Sequence, residues 1–161
     1  MDTQAQTTQP AIERGQTIPD FTLSAHNGET VSSRSYYIHR NLVIALLPDR
    51  IGPEWESWLE RLSAARGQVD TADAQFLVIA SDAVSGIQDF AERSATRSLK
   101  VLIDQRGDIR QKLGADEHAG QLLITDRYGV VFQSAAGQAT DKAIDPPEIP
   151  GWVEFIYCRC S

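Results

Sequence analysis

Six consecutive residues, Leu42 to Leu47, are apolar, and Pro48 ends the run. An unbroken apolar stretch of this length predicts a strand buried on both faces, as in the middle of a parallel-type sheet. Gln75 to Ser81, with Phe76-Leu77-Val78-Ile79-Ala80 at its heart, repeats the signature, and Asp82 marks its exit. Between the two runs the period changes. Trp55, Trp58, Leu59 and Leu62 recur at i, i+3, i+4 and i+7, behind Pro53 and ahead of Gly67. That spacing predicts an amphipathic helix over residues 54–66, with proline at its first position and glycine after its last turn.

The remaining elements are shorter. Phe21 to Leu23 and Thr30 to Ser32 flank His26-Asn27-Gly28, a hairpin signal at a sheet edge. Ile87, Phe90 and Ala91 give the inward face of a second helix between Ser85 and about Ala95. Val101 to Ile103 is a strand, after which Asp104 to Gly107 turns into a helix carrying Ile109 and Leu113 and stopping at Gly114. Leu122 to Thr125 and Val130 to Gln133 are antiparallel strands joined by Asp126-Arg127-Tyr128-Gly129. Pro146, Pro147 and Pro150 precede a last helix, starting at Pro150 or Gly151, whose apolar face is Trp152, Val153, Phe155 and Ile156. Residues 1–13 have the composition of a flexible arm. The order of elements predicts one α/β domain over residues 14–161 with helices layered on a mixed sheet.

The chain has 161 residues, enough for one core, and a net charge of −7. This charge, with its scattered basic residues, excludes sequence-independent nucleic-acid binding, which requires clustered Lys and Arg. Met1 to Gln9 carry neither a basic n-region nor an apolar h-region, and no stretch approaches a membrane span, so a cytoplasmic location without membrane association is expected. His26, His39 and His118 have no ligand spacing, so no metal is expected, and no cofactor either. The two cysteines, Cys158 and Cys160, are too close together to staple a fold of this size.

Gly15-Gln16-Thr17-Ile18-Pro19-Asp20-Phe21-Thr22-Leu23, then Asn27-Gly28 and the run from Leu42 to Pro48, resembles the opening of peroxiredoxins of the alkyl hydroperoxide reductase and thiol-specific antioxidant family. Val78 to Asp82, Lys100 to Gly107 and Ile124 to Gly129 continue the resemblance, which covers about residues 15–157. It implies a thioredoxin-like three-layer α/β/α sandwich with a central mixed sheet and an N-terminal β-hairpin. It also implies a peroxidatic motif: Pro, three residues, Thr or Ser, two residues, Cys. Counting from Pro48 puts Gly52 at the hydroxyl position and Trp55 at the sulfur position. In the family that cysteine lies in the first turn of a helix, where free N–H groups and the macrodipole stabilise a thiolate. Tryptophan has no nucleophilic group, so no peroxidase chemistry is expected at the usual site.

Trp55 shares a stripe with Trp58, Leu59 and Leu62, which favours core packing over stacking on a ligand. The vestigial pocket is then Pro48, Asp49, Arg50, Gly52, Trp55 and Gly120, the last near the position of the cis-proline of thioredoxins. Asp49 or Arg50 at a helix start is a candidate anion contact, but Glu54 beside them weakens it. Cys158-Arg159-Cys160 is the candidate redox pair: Arg159 lowers a neighbouring thiol's pKa, whereas residues i and i+2 of a helix point about 200° apart. A frayed terminus with one buried and one idle thiol competes with that reading, and a chain continuing past Ser161 would admit half of a metal site. Arg106-Gly107-Asp108 spells an adhesion tripeptide and is read as a turn and helix cap. The expected class is a non-catalytic binding or regulatory module for an unknown protein or small ligand, with a thiol oxidoreductase as the alternative. Homodimer formation through exposed helices or sheet edges is an expectation carried by the resemblance.

Overall fold

In the computed structural model the two long apolar runs lie side by side inside a seven-stranded sheet. The structure describes residues 11–70, 73–82, 86–96 and 99–160, the side chains of 95–96 and 157–160 excepted. The strands are β1 (Thr22–Ala25), β2 (Thr30–Ser32), β3 (Asn41–Leu46), β4 (Ala74–Ser81), β5 (Lys100–Asp104), β6 (Gly120–Thr125) and β7 (Val131–Gly137), in the order β2-β1-β5-β4-β3-β6-β7. The β3, β4 and β5 strands are parallel, with Val43 opposite Phe76 and Val78 opposite Val101. On either side the sheet turns antiparallel, β6 against β3 and β1 against β5.

Successive residues of a strand point to opposite faces, and the interior strands use both. Val43, Ala45 and Leu47 join one core with α1 (Pro53–Arg66), α2 (Ile87–Thr96) and α4 (Ile149–Cys160). Leu42, Ile44 and Leu46 join a second with Ile109 of α3 (Asp108–Lys112) and Leu113 just after it. Helices therefore cover both faces, which explains why these strands read as continuous apolar runs. The result is the expected three-layer thioredoxin-like sandwich.

Several particulars differ from the sequence reading. Of the stretch expected as an arm, residues 1–10 lie outside the described residues, whereas Ile12 is buried in the second core and its N–H donates to the Leu113 carbonyl at 2.9 Å. The Ser134 hydroxyl donates to the Ile12 carbonyl at 2.8 Å, so one apolar side chain and hydrogen bonds on both sides of its backbone dock a segment whose composition is otherwise that of a coil. The final helix begins at Ile149, so Pro150 sits inside its first turn. Phe155, expected on its inner face, is 44% exposed. The inner stripe is Ile149, Val153 and Ile156, at i, i+4 and i+7, and Phe155 lies about 100° off Ile156 around the helix. Its ring instead meets Phe132 edge-on, with centroids 5.6 Å apart. Ser85, expected to open the second helix, lies outside the described residues.

Candidate functional site

The site that the sequence nominates is built where β3 runs out. Pro48 is buried at the end of the apolar run, and Asp49 fastens the next loop by donating its N–H to the Glu117 carbonyl at 3.0 Å. Arg50 is exposed. Gly52 is the extended N-cap of α1, has no side chain with which to cap, and is followed by Pro53 at the first helical position. The fixed φ of proline and its missing N–H suit that position, so the helix start survives without a capping hydroxyl. A Cβ placed on Gly52 would lie 2.9 Å from Oε1 of Glu54. The glutamate carboxylate thus stands where a side chain at residue 52 would project, near the positive end of the helix.

Trp55, the third residue of α1, is 3% exposed. Its ring sits 5.4 Å from that of Trp58 in an edge-on arrangement, and Trp58 is itself fixed by donating its indole N–H to the Ile144 carbonyl at 2.9 Å. The far edge of the Trp55 ring rests on Gly120, the first residue of β6. A Cβ built on Gly120 would collide with Cη2 of Trp55 and lie 3.1 Å from Cζ2 and Cζ3. Only a glycine admits the indole there. The fold thus brings Gly120 onto Trp55 across about 65 residues of sequence, because β6 pairs with β3 through Gln121 and Leu46. No cis peptide bond occurs among the described residues.

Behind this loop lies a group that the sequence reading passed over. Asp104 is 2% exposed, and its two carboxylate oxygens accept from the backbone N–H groups of Ile109 and Arg110, each at 3.0 Å. The side chain of Asp104, not Asp108 of the Arg106-Gly107-Asp108 turn, therefore caps α3. Arg110 is also buried and donates to the Asp116 carbonyl at 2.9 Å. Burial pulls its pKa below the usual arginine value, opposed by the carboxylates of Asp49, Asp104, Glu117 and Asp116. Arg110 thus ties to α3 the loop before β6, whose Glu117 carbonyl accepts from Asp49. The buried pair was hidden because Asp104 and Arg110 look like ordinary turn and helix-surface residues until α3 is laid on the sheet.

The backbone of α4 runs through Cys158 and Cys160, but their thiols lie outside the described side chains. Among the described residues no cluster of three or more metal-ligating His, Cys, Asp or Glu side chains occurs, and no helix is long and apolar enough to cross a membrane.

Residues 14–136 match the model of the AhpC/TSA family. The peroxiredoxin bcp1 of Schizosaccharomyces pombe is 24% identical over 134 residues, which span 83% of this chain and 67% of that protein. Among solved structures, the peroxidoxin BcpB of Mycobacterium tuberculosis superposes with a TM-score of 0.73 at 14% identity, over 93% of this chain and 99% of that one. A thiol peroxidase from Chromobacterium violaceum gives 0.66 at 18% identity, over 90% and 88%. At such identities the structures speak for the fold.

Proposed function

The chain belongs to the AhpC/TSA family, and from that premise we propose that it is a peroxiredoxin-like domain whose peroxidatic centre has been replaced by core and which acts as a non-catalytic binding or regulatory module. The observation that carries this reading is the seating of Trp55 on Gly120. A thiol at the start of α1 needs an open pocket, a nearby hydroxyl and room for peroxide. Here an indole occupies the pocket, glycine replaces the hydroxyl residue, and the Glu54 carboxylate fills the place of its side chain. A negative group beside the helix N-terminus also opposes the approach of an anionic nucleophile or substrate.

A second reading keeps thiol chemistry but moves it to Cys158 and Cys160. It is supported by Arg159 between them and by relatives described as peroxiredoxin and thiol peroxidase. Native thiol titration before and after mild peroxide separates the two. The binding-module reading expects two thiols at both times. Rapid loss of both, restored by a dithiol reductant, would transfer the function to the C-terminal pair.

A further inference from the structure

We draw no further inference here: the strongest candidate, the aromatic patch that Phe132 of β7 makes with Trp152 and Phe155 of α4 at the outer edge of the sheet, carries nothing, because nothing in the structure shows what covers it.

Discussion

Trp55 and Gly120 are a matched pair, and their energies should show it. Trp55→Ala removes a buried aromatic and should cost about 3–5 kcal/mol in a denaturant melt. Gly120→Ala should cost about 1–3 kcal/mol by overpacking, because the new methyl collides with the indole. In the Trp55→Ala background that penalty should fall below about 1 kcal/mol, since the obstructing ring has gone. Additive costs would mean that the two residues act on stability independently. Tyr37 carries a pH dependence: its pKa is raised above 10.0, first by burial and then by the hydrogen bond to Asp20. The folded state thus holds the phenol proton more tightly than the unfolded chain, so the contribution is complete below pH 10 and is lost as pH climbs through the folded pKa. Tyr37→Phe should flatten this alkaline limb in pH-dependent melts. An unchanged limb would assign it to other groups.

Each helix start shows how a sequence signal and its structural use can part company. The limits of α1 were legible because Pro53 and Gly67 punctuate a clear 3.6-residue stripe, and Trp55, Trp58, Leu59 and Leu62 are all buried. The start of α3 was not, because its cap is reached from four residues outside the helix: Asp104 leaves β5 and folds back over the Gln105–Gly107 turn. Asp104→Ala should therefore cost about 1–2 kcal/mol, the range for a lost N-terminal cap, whereas Asp108→Ala should cost less. Thermal melts of the two variants decide between the caps. The α1 terminus invites a different probe. Its free N–H groups and Pro53 belong to backbone and survive replacement of the side chain. A Trp55→Cys thiol should titrate below the free value of about 8.5, and adding Glu54→Gln should lower it further by removing a neighbouring carboxylate. Alkylation rate against pH reports both, and a midpoint at or above 8.5 in the double variant would mean that the helix start is remodelled.

For the molecule as a whole, the layered α/β architecture could be read from two facts: the apolar runs of β3 and β4 do not alternate, and a strong helical stripe separates them. What stayed hidden depends on contacts distant in sequence. The docking of Ile12 between Leu113 and Ser134 leaves no local periodicity. The exposure of Phe155 follows from which stripe of α4 meets the sheet, and a helix apolar on several positions does not announce that choice. The contact between Trp55 and Gly120 depends on β6 returning antiparallel beside β3. A motif count can place both residues near one pocket, but not show that one fills it against the other.

The central claim is that this thioredoxin-like frame carries no peroxide chemistry at the start of α1. Peroxide consumption by the full chain with a dithiol reductant tests it most directly. The account predicts a rate equal to the buffer blank, and turnover above the blank that persists in a Cys158→Ser, Cys160→Ser double variant would contradict it.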